Sequence, residues 1–462
     1  MNKTKKLISN TFIFALGTLG SKLLQYLLLP YYTALLSTYE YGIIDNLQNI
    51  ASLLIPIVSL TIYEAIFRYA MDKDYDSKIV FSIGTIISLS GVIIFFVLTL
   101  IFNIILPSTY IWITFIYVIF NIFRTNCSQY VRAIGYTKLF TIDNLFQTLI
   151  ILLANIMFLS YFNLGITGYM LAYCVGNFIS TVFLILSAKL YRDFIFCFPK
   201  QISIKMLKFS VPLIPNTICW WISSCSDRFM ITSMIGAAVN GLYAIANKIP
   251  TVMTIFINIF LQAWQISAND EVNNANISIY YSTMYKYISI LLSIMGIIII
   301  LSSKFIIRLM ASSDFFLAWQ YVPILSLAIV FFAKAQFLGT VYTTFKNTKM
   351  AFFTNLLAAV INIIGNFVLI PVLGGIGAGI STAFSYFILW IVRTFNIKCF
   401  INFNLEIKSE VIVTILLVLA TIIMYFELGI IGSLIQIIIL LYIIYIFRNN
   451  ILEIINRLVI KR

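Results

Sequence analysis

Five cationic side chains, Lys22, Arg124, Arg228, Lys248 and Lys334, fall inside long apolar runs of this chain. A charge at the centre of a membrane helix costs roughly 2.5–3.5 kcal/mol on insertion scales. Five such residues are tolerable where they face a shared hydrated interior, and a positive interior is suited to an anionic ligand. Arginine supplies a planar donor fork and lysine a compact charge, and each contact counts for more between low-dielectric walls than in bulk water. Internal pairing is the competing reading. Glu64 and Arg68 are four residues apart and can pair along one helix face. Asp227 precedes Arg228, and either can bridge to Lys248, so such pairs can gate the interior. Glu64 and Asp227 cannot neutralise five cations, so an excess of positive charge is expected. Lys22, Arg124 and Lys334 have no evident local partner and rank first as ligand contacts. Arg228 and Lys248 sit nearer a span end, where a long side chain can snorkel.

The elements that position these residues are membrane helices. Of 462 residues, 61% are hydrophobic and 10% charged, where soluble domains carry about a quarter charged. Mean hydropathy is +1.02. Apolar runs long enough to cross a ~30 Å hydrocarbon layer recur along the whole length, without the ten-residue alternation of a transmembrane barrel. The first run, from about Leu7 to Leu36, is too long for a signal peptide and lacks a cleavage pattern. The sequence predicts spans at 8–36, 43–70, 79–106, 109–134, 139–160, 165–189, 207–236, 240–267, 280–307, 318–343, 350–371, 376–396, 409–427 and 430–447. With the N-terminus in the cytoplasm, 23 of the 30 Lys and Arg lie at inner ends; only Lys304 and Arg308 lie at outer ends, and five are mid-span. The positive-inside rule therefore places both termini in the cytoplasm and supports an even number of spans. Topology and an anionic inner leaflet account for the net charge of +14, which removes the case for nucleic acid.

Other chemistries are poorly served. Histidine is absent, and the six cysteines (127, 174, 197, 219, 225 and 399) include no CxxC pair, so no metal site, cofactor site or His-based catalytic constellation is expected. Outer loops such as 37–42, 107–108 and 161–164 leave no room for an extracellular domain, which argues against a membrane polymerase or glycosyltransferase. Tyr26, Tyr31, Tyr32, Trp220, Trp221 and Trp264 can stack on sugar rings, although helix packing is their default role. Pro212 and Pro215 are the expected bend of the seventh span and a candidate hinge. The tail 448–462 sets Ile451, Ile454, Ile455, Leu458 and Val459 on one face, as in an interfacial amphipathic helix.

The chain also repeats itself. Thr137-Lys138, Asn144, Asn155 and Gly165/Gly168 are matched by Thr348-Lys349, Asn355, Asn366 and Gly374/Gly377. In both copies the Thr lies seven residues before the first Asn, and the two Asn are eleven apart, close to three helical turns and hence on one face. Tyr41-Gly42 similarly matches Asn240-Gly241. Spans 1–6 and 7–12 read as parallel homologous halves, with 13–14 added. The expected divisions are an N-terminal lobe at 1–190, a cytoplasmic linker at 191–206, a C-terminal lobe at 207–400, two extra helices within 401–447 and the tail 448–462. Arg124 lies 14 residues before Lys138 and Lys334 lies 15 before Lys349, so the halves place a cation at nearly the same depth.

The opening NTFIFALGTLGSKLLQYLLLPYYTALLSTYEYG, the repeated Thr-Lys…Asn…Asn…Gly block and the 6+6+2 count together resemble the multidrug/oligosaccharidyl-lipid/polysaccharide exporter superfamily, in its polysaccharide-transporter branch. The resemblance covers essentially the whole chain. It implies an all-α integral membrane fold of about 14 helices, with two six-helix lobes around a cavity that opens alternately inward and outward, lined chiefly by spans 1, 2, 7 and 8. It further implies a flippase, not an enzyme, that moves undecaprenyl-pyrophosphate-linked oligosaccharide to the outer leaflet of the bacterial cytoplasmic membrane for O-antigen or capsule synthesis, alongside polymerase and export machinery. The pyrophosphate would be the anion held by Lys22, Arg124, Lys334, Arg228 and Lys248. A lipid II flippase would suit the same cavity. A cation-coupled multidrug exporter of the same superfamily needs cavity carboxylates, and the middle of span 1 carries Lys22 instead. No cofactor is expected beyond a coupling H⁺ or Na⁺, for which Asp227 and Glu64 are the titrating candidates, with Arg68 as a gating partner.

Overall fold

The computed structural model describes residues 26–448 other than 73, 106, 271–276, 346 and 427–428, together with residues 20 and 24. All regular structure among them is helical. The helices are α1 (Leu29–Leu35), α2 (Thr38–Val58), α3 (Ile62–Ala70), α4 (Ser77–Ile105), α5 (Thr109–Ala133), α6 (Thr137–Asn155), α7 (Gly165–Ser187), α8 (Lys200–Ser210), α9 (Leu213–Met234), α10 (Ala237–Asp270), α11 (Ile277–Met310), α12 (Val322–Thr344), α13 (Thr348–Leu373), α14 (Gly375–Asn396), α15 (Ile407–Tyr425) and α16 (Gly429–Ile446). Twelve helices among the described residues are long and apolar enough to cross a membrane. Of the other two expected spans, the first lies mostly outside the described residues. The seventh is α9, whose run of polar residues from Ser223 to Arg228 lowers its hydropathy.

Local chemistry sets the boundaries. Ser37 opens α2 with a capping box, its hydroxyl accepting from the Glu40 N–H while the Glu40 carboxylate accepts from the Ser37 N–H. Ser108 and Asn347 cap α5 and α13 through their side chains. The equivalent glycines of the repeat, Gly165 and Gly374, take φ of +51° and +63° at the turns into α7 and α14, a conformation a Cβ would disfavour. The tail 449–462, expected as an amphipathic helix, lies outside the described residues.

Two expected spans are interrupted. The predicted helix at 43–70 breaks between α2 and α3, where Leu60 and Thr61 both adopt left-handed φ, +51° and +48°. Pro56 lies one turn earlier, and the Thr61 N–H reaches back five residues to its carbonyl. The Thr61 hydroxyl donates to the Ser210 carbonyl at 2.6 Å, fixing the break against the end of α8. Across from it, a Cβ on Gly91 of α4 would come 2.0 Å from the Val58 carbonyl oxygen, so only glycine admits this approach. The seventh span breaks at Val211–Pro212, between α8 and α9; the bend falls at the first proline of the pair, and Pro215 lies in the first turn of α9.

The chain separates into two compact units, Met1–Cys225 and Ser226–Arg462. In the first, Ile62, Ile66, Val80, Ile83, Val131, Leu184 and Met206 bring α3, α4, α5, α7 and α8 into one core. In the second, α12 is the axis: its apolar window is 72% buried, against 22% for α16. Nearly every side chain of α12 therefore meets protein, including that of its single lysine.

Candidate functional site

Of the five mid-span cations, Lys22 lies outside the described residues. Arg124 and Lys334, expected to lack partners, both have them. On α5, Arg124 Nη2 donates to Asp143 Oδ2 at 2.8 Å and to Asn144 Oδ1 at 2.7 Å, while its Nε donates to Ser180 Oγ at 3.1 Å. The Ser180 hydroxyl donates in turn to Asp143 Oδ1, so the cluster ties α5, α6 and α7 together. On α12, Lys334 Nζ is 2.8 Å from Glu410 Oε2 of α15 and lies 5.2 Å from the Trp390 ring centroid. The other Glu410 oxygen accepts from Ser289 of α11. Both Lys334 and Asp143 are fully buried.

A third intramembrane cation was counted from sequence as an inner-end charge. Arg393 is only 3% exposed and donates to the Ala335 carbonyl at 2.8 Å, to Asn355 Oδ1 at 2.8 Å and to Thr354 Oγ1 at 3.2 Å. The repeat makes sense of this arrangement. Asn144 and Asn355 occupy equivalent positions, and each accepts from a guanidinium, partly buried in Arg124 and buried in Arg393. In the first unit that guanidinium comes from α5; in the second it comes from α14. The acceptor is repeated while the donor has changed helix.

Asp227 on α9 pairs with neither Arg228 nor Lys248. Its oxygens take neutral donors: Thr382 Oγ1 at 2.7 Å and the Tyr243 hydroxyl at 3.0 Å on Oδ2, with Asn366 Nδ2 at 3.4 Å and Ser226 Oγ at 3.5 Å from Oδ1. Asn362 joins the cluster. Its amide donates to Thr382 Oγ1 at 3.1 Å, and its Oδ1 accepts from Ser226 at 3.2 Å. The Thr382 hydroxyl also reaches the Ala378 carbonyl at 3.0 Å. Asn366 Oδ1 is buried and has no hydrogen-bond partner among the described residues. One carboxylate thus sits 5% exposed among hydroxyl and amide donors from α9, α10, α13 and α14, with the Asn366 Oδ1 acceptor nearby. A buried acceptor without a donor is costly unless something positive completes the shell. A single carboxylate with neutral oxygens suits a monovalent cation or a proton better than a divalent metal, whose sites use several carboxylates.

The equivalent of Asn366 in the first unit is Asn155. Its amide donates to the Tyr32 hydroxyl at 3.1 Å and to the Ile151 carbonyl, and its Oδ1 is likewise buried without a partner among the described residues. Tyr32 packs edge-on against Tyr169, whose hydroxyl is 3.2 Å from that of Tyr173. The repeated asparagine therefore meets a tyrosine cluster in one unit and a carboxylate in the other.

Glu64 and Arg68 lie exposed on α3 and form no ion pair with each other among the described residues. The cation acting on Glu64 is Arg132 of α5, whose guanidinium sits 4.5 Å over the Phe67 ring. Arg228 is half-buried and Lys248 exposed. Of the aromatic candidates, Tyr31, Tyr32, Trp221 and Trp264 bond within their own units, to Ser160, Asn155, the Asn49 carbonyl and Thr340 respectively. The Trp220 side chain lies outside the described residues.

Residues 7–265, more than half the chain, match the model of a family described as polysaccharide biosynthesis protein. The chain belongs to that family. With it comes membership of the multidrug/oligosaccharidyl-lipid/polysaccharide exporter superfamily. Comparison with the curated proteins finds no match. Among solved structures the chain is similar to the lipid II flippase MurJ in an inward closed conformation, with a TM-score of 0.68 at 18% identity, covering 95% of this chain and 100% of that one. It is also similar to an inward-facing multidrug resistance MATE family transporter, with a TM-score of 0.66 at 12% identity, covering 82% and 95%. A third is a mutant form of the Vibrio cholerae MATE transporter VcmN, with a TM-score of 0.57 at 14% identity, covering 86% and 97%. The family and the fold are those of membrane transporters.

For this family member, sequence reasoning missed Asp143, Glu410 and Arg393. Each lies within two turns of an expected span end; Arg393 falls among the inner-end charges, and Asp143 and Glu410 carry no role in the sequence reading. The available signal was pairing: Asp143 adjoins the repeated Asn144, and Glu410 opens a span whose other charge, Glu427, lies at its far end.

Proposed function

We propose that this chain carries a lipid-linked oligosaccharide, joined to undecaprenol through pyrophosphate, from the inner to the outer leaflet of the bacterial cytoplasmic membrane by alternating access. Its product would feed the polymerase and export machinery of an O-antigen or capsule. The observation that carries this reading is membership of the polysaccharide biosynthesis family, in a fold shared with a flippase. Lys22, Arg228 and Lys248 are the cations proposed to meet the pyrophosphate. Arg124 and Lys334 are each committed to a carboxylate, and withdrawing either would strand a buried charge at a cost of roughly 3–5 kcal/mol. They are better suited to holding helices in place than to exchanging ligands. Asp227, with Asn362, Asn366 and Thr382, is proposed to take the coupling H⁺ or Na⁺. Neutralising that carboxylate loosens the pull on four helices at once, so its occupancy can bias one conformer over another.

The fold match to a lipid II flippase favours a second reading, in which lipid II itself is the substrate. Complementation separates the two. The wild-type chain is expected to restore surface polysaccharide in a strain lacking its oligosaccharide flippase and to leave a lipid II flippase depletion uncorrected. Lys22→Glu, Arg228→Glu and Lys248→Glu, at wild-type protein level, are each expected to lower polysaccharide by about tenfold or more, the effect of losing one charge-assisted contact. Full function in all three would refute the anion-binding role. Asp227→Asn is expected to abolish the dependence of transport in proteoliposomes on an imposed Na⁺ or pH gradient; gradient dependence unchanged from wild type would move coupling elsewhere.

A further inference from the structure

A cavity of about 280 Å³ opens beside the start of α11, lined in part by Lys286, Tyr285, Asn402, Glu406, Ser409 and Glu410. Its volume is at the small end for ligand sites, and its walls combine charged and hydroxyl groups with a somewhat larger apolar surface. Two carboxylates and one ammonium face it. Lys286 and Glu406 form an ion pair across its mouth, with 28% and 54% of their side chains exposed. Glu410 forms part of its buried wall and is the same carboxylate that pairs with Lys334. Asn402 is held in place by its backbone N–H, which donates at 3.1 Å to the hydroxyl of Ser278, another residue of the lining. That contact leaves the Ser278 proton available to an acceptor.

The depth of this cavity follows from α11 itself. That helix has 34 residues, about 51 Å at 1.5 Å per residue, whereas the hydrocarbon core is ~30 Å thick. Lys286 and Lys304 mark its two membrane boundaries, about 27 Å apart along the axis. Lys304 sits 4.1 Å over the ring of the buried Trp319, a cation–π contact. The part of α11 before Lys286, about two and a half turns, and the cavity with it, therefore lie at headgroup depth, on the side where the charge distribution places the cytoplasm.

We infer that this cavity is a binding site for the headgroup of a zwitterionic phospholipid bearing a primary ammonium, that is, a phosphoethanolamine lipid of the adjacent leaflet. The ammonium supplies three N–H donors to the Glu406 carboxylate and to the buried Glu410 carboxylate where it lines the cavity. The phosphate oxygens accept from Lys286, the Ser278 hydroxyl and the Asn402 amide. A zwitterion matches the existing Lys286–Glu406 pair charge for charge and can insert between the two without leaving either unpaired. A choline headgroup has no N–H to give the carboxylates, and a glycerol headgroup has no cation. Because Glu410 also holds Lys334, an occupied site bears directly on the axis helix of its unit. The inference does not depend on which lipid-linked substrate is carried.

The test uses the full-length protein, purified and delipidated in detergent, then offered an equimolar mixture of phosphatidylethanolamine, phosphatidylcholine and phosphatidylglycerol with matched acyl chains. Bound lipid is read by native mass spectrometry. Wild type is expected to retain phosphatidylethanolamine over either competitor by about tenfold, the factor lost with one charge-assisted hydrogen bond. Glu406→Gln, an isosteric change at an exposed position, is expected to reduce that preference to about twofold or less on the same scale. Ser409→Phe, which fills the cavity, is expected to abolish it. Equal retention of the three lipids by wild type, preference for phosphatidylglycerol, or a preference that survives both variants would overturn the proposal.

Discussion

Lys334 and Glu410 test how an ion pair behaves inside this protein, because each can be neutralised without changing its size much. Lys334→Met leaves Glu410 buried with one hydroxyl donor and no cation; Glu410→Gln leaves a fully buried ammonium without its carboxylate. Each single change is expected to cost roughly 3–5 kcal/mol, whereas Lys334→Met/Glu410→Leu together should recover most of the loss, because an apolar pair of similar volume satisfies the site. Thermal unfolding in detergent micelles measures this; a double variant no more stable than the worse single one would show that the pair is not the unit. The same residues show where sequence reasoning stops at this scale. The cations were legible as mid-span charges because nothing apolar explains them. Their partners were not, since Asp143 and Glu410 sit near span ends, where a carboxylate is unremarkable until the fold brings another helix alongside. Asp227 was legible as a singular acid, but its shell of Asn362, Asn366 and Thr382 comes from helices more than a hundred residues away in the chain.

At the scale of elements, the break between α2 and α3 is the feature the hydropathy pattern conceals. The span 43–70 reads as one helix, since Leu60 and Thr61 carry no turn signature and Pro56 alone predicts a kink. What permits the break is tertiary: the Thr61 hydroxyl on the Ser210 carbonyl, and a glycine on α4 that lets the Val58 carbonyl come close. Two consecutive non-glycine residues in the left-handed region cost about 1–2 kcal/mol each, so the surrounding contacts must over-determine them. Gly91→Ala is therefore expected to destabilise by ~1–3 kcal/mol or more, the usual cost of overpacking, because its Cβ would meet backbone at 2.0 Å rather than a side chain able to turn away. Ser90→Ala on the same helix should change stability by less than ~0.5 kcal/mol, as exposed positions do. The two variants, compared by the temperature at which detergent-solubilised protein aggregates, separate the close approach from a general sensitivity of α4. Helix existence and the parallel repeat were legible, by contrast, because span length and the Thr…Asn…Asn…Gly spacing are properties of single helices.

For the whole molecule, the distribution of Lys and Arg makes a claim about orientation that the native cysteines can check. The 6+6+2 arrangement puts Cys197, between α7 and α8, and Cys399, after α14, on the cytoplasmic side. Cys197 is partly exposed and Cys399 exposed, whereas Cys127, Cys174 and Cys225 are buried. The outer side is represented by Ser313, exposed in the turn between α11 and α12. In an otherwise cysteine-free background, single-cysteine versions retaining Cys197 or Cys399 should react with a membrane-impermeant maleimide in inverted vesicles and be protected in intact cells, and Ser313→Cys should show the reverse. The reasoning is energetic: 23 of 30 cationic residues assigned to one side would otherwise have to cross against the insertion bias that retains Lys and Arg in short cytoplasmic loops. Labelling of Cys399 from outside would invert the topology and move the Lys286 cavity to the opposite leaflet. Labelling of Cys197 and Cys399 from opposite sides would be more damaging, because the parallel repeat requires both halves to begin from the same side and hence an even number of crossings between these two positions.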